Sequence, residues 1–201
     1  MTSVTISPKQ VSELRARTGA GMMDCKRALE EAGADMDRAA ELLRKKGIAK
    51  AEKRAGRTAA QGVVASYIHH NAQVGVLVEL NCETDFVART EGFQQLARDI
   101  ALHIASADPI GVVPEDIPAD LLERERRIAE EQAGAEGKPE NVRAKIVEGK
   151  VKKFVAERTL IEQPYIKDDA KTVGQLIQEV SGKVGEAVSV RRFARFRIGE
   201  A

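Results

Sequence analysis

The sequence contains no tryptophan, two tyrosines and five phenylalanines, so it offers little aromatic surface on which bases could stack. Its 32 basic and 31 acidic side chains give a net charge near +1. A dedicated nucleic-acid-binding protein usually carries a clear positive excess. Both features argue against specific nucleic-acid binding as the main activity.

Cysteine, histidine and long apolar runs are also scarce. Cys25 and Cys82 lie far apart without metal-ligand spacing, and no signal peptide precedes them, which indicates reduced thiols in a soluble cytoplasmic protein. His69 and His70 would point to opposite faces of a strand, so they cannot easily share a metal. No apolar run approaches the ~20 residues that span a bilayer. We therefore expect no metal, no cofactor and no membrane segment.

The motifs of common enzymes are missing too. The sequence has no nucleophile elbow, phosphate-binding loop or HExxH pattern, and no glycine-rich turn leads from a strand into a helix. We therefore expect a protein that is not an enzyme and has no catalytic residue. With 201 residues, 43% of them apolar, the chain suffices for one ordinary domain and a small one.

Three short helices are predicted in the first fifty residues. Ser7–Gln10 combines a capping box with a proline in the first turn. Glycines at 19, 33 and 47 are the predicted helix ends, and Asp35 is the predicted cap of the third helix. A bundle of this size is near the lower limit for independent folding, with a core worth only ~3–5 kcal/mol. It suits docking better than enclosing a substrate.

Apolar side chains of the second helix have helical spacing from Met22 through Cys25 to Ala32. Met22 and the next residue, Met23, cannot both face the core of one helix, so at least one is predicted to be exposed, where a flexible thioether suits binding. From Arg44 to Arg57, seven basic side chains accompany one acid, Glu52. We favour a mobile or partly helical linker there; contact with ribosomal RNA is the alternative.

The rest of the chain predicts an α+β core. Gly62–His69 and Val74–Leu80 form a hairpin, and a helix from about Thr90 to Ala105 packs on one face. Ala187–Ile198 alternates apolar and basic residues and is the predicted third antiparallel strand, with a phase shift near Arg191 that allows a bulge. Its arginines either contact RNA or form an exposed strand face.

Helices dominate the connection between the hairpin and the last strand. The pattern predicts one helix over 121–133, one opened by Lys138-Pro139 and broken at Gly149, and one carrying Val151–Arg158. An extended link over 162–168 and a helix over 172–183 follow. We interpret 118–160 as a helical accessory layer.

The stretch Glu79–Arg89 (ELNCETDFVAR) leaves a buried strand and places Phe86 beside an acid. Two interpretations of where the next helix begins are open. If Asp85 caps the next helix, Phe86 lies seven residues before Phe93, on the same stripe, and belongs to the core. If Thr90 is the cap, the preceding segment is a protruding loop that presents Phe86 to a partner.

This stretch resembles the central signature of the bacterial elongation factor Ts family, and Leu14–Leu29 resembles its N-terminal signature. The similarity runs from about Val11 to Gly199. It implies an exchange factor for the GTPase elongation factor Tu, with a ubiquitin-associated-like module over 1–47, a basic linker over 48–61 and a core over 62–201. The region 118–160 would then serve in dimerisation or as an accessory layer.

The resemblance also implies which residues touch the partner. The segment that dislodges Mg²⁺ in elongation factor Tu corresponds to Thr84, Asp85, Phe86 and Val87, and the contacts of the N-terminal module correspond to Arg15, Met22 and Met23. Longer members carry a second copy of the core and a coiled-coil insertion, but no internal repeat is found here. A symmetric homodimer, in which each subunit supplies what the repeat would, is therefore expected.

Overall fold

The computed structural model describes residues 6–54, 56–136 and 139–200. The described chain mixes helices with a three-stranded antiparallel sheet, which confirms the α+β prediction. The helices are α1 (Pro8–Thr18), α2 (Met22–Ala32), α3 (Met36–Glu52), α4 (Asp85–Ala88), α5 (Glu91–Ala107), α6 (Ala119–Ala135), α7 (Glu140–Arg158) and α8 (Val173–Val184). The strands are β1 (Gln61–Ile68), β2 (Val74–Cys82), β3 (Pro164–Tyr165), β4 (Asp168–Thr172) and β5 (Val188–Arg197).

The three N-terminal helices pack on one another around a common core. Ser7 and Gln10 form the predicted capping box of α1, and the Asp35 side chain accepts from the N–H groups of Asp37 and Arg38 in the first turn of α3. Gly19 and Gly33 end α1 and α2 in the left-handed conformation that glycine adopts without strain. The core consists of Val11, Leu14, Cys25, Ala28, Leu29, Ala32, Ala39 and Leu43. Cys25 is thus a small buried hydrophobic residue, as is usual for a free cysteine.

The prediction that Gly47 ends the third helix is wrong, because α3 continues to Glu52. Gly47 lies where α3 passes close to α8. A Cβ added to Gly182 of α8 would lie 3.1 Å from the backbone of Gly47. The missing side chain of Gly182 therefore permits the close approach, whereas a Cβ on Gly47 would make an ordinary 3.9 Å contact with Gly182. The basic segment is consequently helical over its first part, and its Ala55 lies outside the described residues.

The main sheet has the order β1-β2-β5, with the predicted hairpin between its first two strands. Inward side chains of β2, such as Val76, Val78 and Leu80, are fully buried, while Leu77 between them is exposed. The buried positions of α5 fall at steps of three and four residues, from Phe93 to Ile104. The spacing is the pattern that predicts α5, whereas β2 was predicted from its β-branched apolar run, and the alternation of its buried and exposed side chains is seen only in the structure.

A helical hairpin, α6 and α7, forms the accessory layer, with Ala129, Ala133 and Val147 in its core. The predicted break at Gly149 is wrong: α7 is continuous from Glu140 to Arg158. The predicted start at Lys138 lies outside the described residues. Part of the predicted extended link instead pairs as the small antiparallel ladder β3–β4.

The chain forms two compact units, each assembled from separate segments. One combines the N-terminal part up to Gly62 with Asn81–Phe93 and Ile177–Ser189; the other combines Val63–Leu80, Gln94–Leu176 and the part from Val190 onward. The proposed division at 47 and 61 stays a prediction. Within the described ranges, none of the helices has both the length and the apolar character that crossing a membrane requires.

Candidate functional site

The segment after β2 forms a single helical turn, α4. Thr84 caps this turn, since the Val87 N–H donates to the Thr84 Oγ1 at 3.4 Å. The next helix, α5, begins after Thr90, whose Oγ1 accepts from the Phe93 N–H at 3.4 Å. The alternative with Thr90 as the cap of this helix therefore holds and the Asp85 alternative is wrong. The segment is nevertheless a capped turn rather than an irregular loop.

Phe86 projects from this turn into solvent, with 78% of its surface exposed, whereas Phe93 is fully buried. The two rings do not share a stripe, because Arg89 and Thr90 interrupt the helix between them. The Asp85 carboxylate pairs with the Arg89 guanidinium at 2.8 Å. The turn thus presents an apolar ring next to a partly exposed acid, the arrangement expected of a segment that contacts a partner.

The strand before the turn ends in a buried thiol. The Cys82 Sγ–H donates to the Thr84 carbonyl at 3.1 Å. Burial raises the pKa of this thiol, and the negative charges of Glu186 and Asp85 raise it further. Cys82 therefore stays a neutral donor and helps to fix the backbone at the start of the turn.

Two glutamates cross between this segment and the chain just before β5. Glu186 accepts from the N–H groups of Glu83 and Thr84, at 3.1 and 3.0 Å, and from the Thr84 hydroxyl at 2.6 Å. In return, Glu83 accepts from the Ala187 N–H at 2.7 Å and from the Arg57 guanidinium at 3.4 Å. These interactions with Ala187 and Arg57 lower the pKa of Glu83.

Sequence reasoning did not single out Glu186. The only signal is its place after Gly185, between a predicted helix and a predicted strand, and that place is common to many turn residues. Its role depends on hydrogen bonds to residues 102 and 103 positions away, and no periodicity carries such information.

The second predicted site lies where α1 meets α2. Met22 and Met23 are 43% and 64% exposed, so the prediction that at least one is on the surface is confirmed. The spacing grouped Met22 with core residues, but it is the first residue of α2 and lies at the edge of the bundle. Arg15 is exposed on α1. Their role in partner binding stays a prediction.

The basic side chains around α3 mostly face acids. Arg44 pairs with Glu179 at 3.9 Å and Lys50 with Asp24 at 3.2 Å, and Lys46 pairs with Glu31. Three of the four arginines of β5 are paired as well: Arg192 lies 2.8 Å from Glu79, and Arg195, Arg197, Asp108 and Glu200 form a cluster. This pairing leaves little uncompensated charge for a phosphate backbone.

The histidines are engaged with their neighbours. His69 Nδ1 lies 3.0 Å from the Tyr67 hydroxyl, and the rings of His69 and His70 are 4.2 Å apart. His103 is buried against Gln163. Within residues 6–54, 56–136 and 139–200, no three histidine, cysteine or acidic side chains are arranged to hold a metal ion.

Residues 9–200 match a family model described as Elongation factor TS. Relatives named Elongation factor Ts are similar along almost their whole length. The Desulforamulus reducens protein is 57% identical over 195 residues, which cover 97% of this chain and 90% of that protein. The Desulfosudis oleivorans protein is 53% identical over 196 residues, which cover 98% of this chain and 99% of that protein. The Thermosipho melanesiensis protein is 54% identical over 195 residues, which cover 97% of this chain and all of that protein.

Proposed function

The chain belongs to the elongation factor Ts family and is a translation elongation factor, and from this premise we propose that it releases GDP from elongation factor Tu. The exposed Phe86 on its capped turn is the observation that supports this most directly. The proposed factor is not an enzyme, needs no cofactor and works in the cytoplasm, where translation takes place.

A GTPase holds its nucleotide through a phosphate-binding loop and a Mg²⁺ ion that bridges phosphate oxygens and side chains. A factor that binds the nucleotide-free form more tightly must weaken nucleotide binding by the same factor, because the two equilibria are linked. Such a factor needs a firmly held group that enters the partner and disturbs the Mg²⁺ site. It needs no group that transfers a proton.

Phe86 is suited to be that group. Its ring is kept in water although burying a side chain of this size is worth ~1.5–3 kcal/mol. Inserted between elements of the partner, the ring recovers this free energy only in the complex. Asp85 enters with it and competes for the groups that order Mg²⁺, while Thr84 caps the turn by accepting from the Val87 N–H.

The N-terminal module supplies broad docking in this proposal. Exposed thioethers of Met22 and Met23 adapt to an apolar groove, and the exposed Arg15 of α1 adds a charged contact. These residues raise the affinity for the partner whatever its nucleotide. Substitutions here are therefore expected to weaken the complex, whereas those at Phe86 slow release within it.

The alternative function, an RNA- or ribosome-bound adaptor using residues 44–57, has no support of this kind. Several of the cations that would contact phosphates already pair with acids. Releasing them would cost the pairs they form, so the gain from neutralising phosphates is reduced.

We further propose that the protein acts as a homodimer. One face of the main sheet exposes Val64, Ile68, Leu77, Phe196 and Ile198, opposite the buried side chains of β2. Concentrated apolar surface of this kind marks an interaction site. This chain covers 99% of the Desulfosudis oleivorans relative and 100% of the Thermosipho melanesiensis relative, so neither of these two proteins has room for a second core copy that would cover the face. A second copy of the chain is the occupant we propose.

The substitution Phe86→Ala tests the exchange function. It removes an exposed ring, so the fold should remain intact, and GDP release from elongation factor Tu should slow by about tenfold or more, since the buried ring is worth at least one factor of ten. Stopped-flow release of a fluorescent GDP analogue measures this. Ile166→Ala, which shortens an exposed apolar side chain on the turn after β3, is the matched control. Equal rates for wild type and Phe86→Ala would contradict the proposal.

A further inference from the structure

The turn that carries Phe86 cannot hold its own shape. α4 has four residues, and a helix of one turn forms too few hydrogen bonds to offset the entropy of ordering it. A ring that must enter a partner at a fixed angle therefore depends on contacts from outside the turn. In this structure, Cys82 of β2 supplies one of these contacts, and three more come from the chain just before β5.

Glu186 provides three of these contacts. Its carboxylate accepts two backbone N–H groups and the hydroxyl of Thr84, and bonds to an ionised acceptor are stronger than neutral ones. The Thr84 hydroxyl then accepts from the Val87 N–H. A chain of hydrogen bonds thus runs from Glu186 through Thr84 to Val87, and Phe86 lies between the last two residues.

Glu186 is itself held in place. The Ser181 hydroxyl donates to the Glu186 carbonyl at 2.6 Å, and the Gly185 N–H donates to the Ser181 carbonyl at 2.9 Å. Gly185 has a φ of +79°, which glycine adopts without strain. The reciprocal bond from the Ala187 N–H to Glu83 closes the arrangement. Glu186 is therefore held by the end of α8, and its neighbour Ala187 provides a second bond to the segment that carries the turn.

We propose that Glu186 is a positioning residue for nucleotide exchange: it sets the orientation of the Thr84–Val87 turn and acts on the partner only through Phe86. This inference rests on the proposed function. It differs from a merely structural role because it predicts an effect on exchange that disappears when the Phe86 ring is absent.

The first test needs no partner. Glu186→Gln removes the charge from the oxygen that accepts both backbone N–H groups and places an NH2 group, a donor, where the Thr84 hydroxyl donates. In the purified protein, amide hydrogen exchange followed by NMR should speed up about tenfold or more at Thr84 and Val87. The Cys25 amide, bonded to the Gly21 carbonyl at 2.9 Å in the N-terminal bundle, should keep its protection. Unchanged protection at Thr84 and Val87 would overturn the inference.

The second test measures GDP release from elongation factor Tu with a fluorescent analogue. Glu186→Gln should slow release about tenfold, and should add little in the Phe86→Ala background, because residues that act as one unit are not additive. Glu123→Gln, an exposed acid on α6, is the charge-matched control and should match wild type.

The outcomes separate the two ideas. If Phe86→Ala releases GDP at the wild-type rate, the exchange proposal fails, while the amide measurement still reports the bonds of Glu186. If Phe86→Ala is slow and Glu186→Gln is not, the positioning role is overturned. A full additional loss in the double variant would also overturn it, because Glu186 would then act by another route.

Discussion

His103 is a buried histidine with both ring nitrogens engaged. The Ile166 N–H donates to Nδ1 at 3.3 Å, so Nε2 carries the proton and donates to the Gln163 Oε1 at 2.9 Å. The Tyr165 ring lies 6.2 Å away, and its hydroxyl bonds to Asp99. Burial and the charge of Asp99 raise the pKa of Tyr165 to about 12, so the tyrosine stays neutral. A second proton on His103 would lie on Nδ1, where it would face the Ile166 N–H and remove the acceptor of that hydrogen bond.

The fold should accordingly lose stability in mild acid. Burial lowers the pKa of His103, so the unfolded chain binds a proton first, below about pH 6.5. The contribution of this histidine is complete above that value and declines as the pH falls through it. Urea unfolding at several pH values measures the decline. His103→Gln, whose amide can replace both hydrogen bonds, should show a smaller decline; an equal one would contradict the assignment. An NMR titration of the ring should have its midpoint below the ordinary value.

Residues of the site were predictable only in part. Thr90 as a cap and Phe86 as an exposed ring follow from local rules, because a threonine before an acidic first turn favours a helix start. Local rules also allowed Asp85 as the cap, and only the structure excludes it. Glu186 was not predictable, since its partners are distant in sequence.

The two wrong helix ends were both predicted at glycines, Gly47 and Gly149, through which the helices continue. Gly149 lies in α7 with nothing within 4 Å of a Cβ built on it, so its flexibility serves no contact. Gly149→Ala should stabilise the protein by ~1 kcal/mol, which raises the melting temperature by ~2–4 °C in a chain of this size. Differential scanning calorimetry checks this. An unchanged or lower melting temperature would show that the helix needs the glycine.

The opposite sign is expected at Gly182, which gives a matched comparison in another helix. A Cβ there would meet the backbone of Gly47 at 3.1 Å, and backbone cannot move aside as a flexible side chain can. Gly182→Ala should therefore lower the melting temperature.

The comparison of Gly149 with Gly182 also explains why glycine alone did not locate the helix ends. Capping residues such as Ser7 and Asp35 locate helix starts because they act within one turn of chain. A glycine within a helical pattern can end the helix, allow another backbone to approach closely, or do neither. Gly33, Gly182 and Gly149 illustrate the three cases.

At the scale of the molecule, the exposed sheet face should determine the oligomeric state. Ile68→Glu places a charge in the apolar surface and should convert the proposed dimer into a monomer, because an unpaired buried charge is costly. Sedimentation equilibrium measures the mass. Val142→Glu, at an exposed position of α7, tests the predicted role of 118–160 in dimerisation and should leave the dimer intact. A monomeric wild type, or dissociation by Val142→Glu alone, would contradict the assignment to the sheet.

Fold class followed from the sequence because strands and helices differ in period, and the three strands of the main sheet were predicted as a short hairpin and one late strand. The pairing of the late strand with β2 rather than with β1 did not follow from the sequence. The composition of the compact units did not follow. One of them joins the N-terminal bundle to Asn81–Phe93 and Ile177–Ser189, an association between distant segments that a linear scan for boundaries does not reveal.

The pairing of the cations of α3 with neighbouring acids has a kinetic consequence. With a net charge near +1 and salt bridges that cancel local fields, the protein projects little long-range attraction toward any partner. Its encounters then depend on diffusion and orientation, at about 10⁵–10⁷ M⁻¹s⁻¹, rather than on the faster rates that electrostatic steering permits. The speed of its association should vary little between dilute buffer and the ionic strength of a cell.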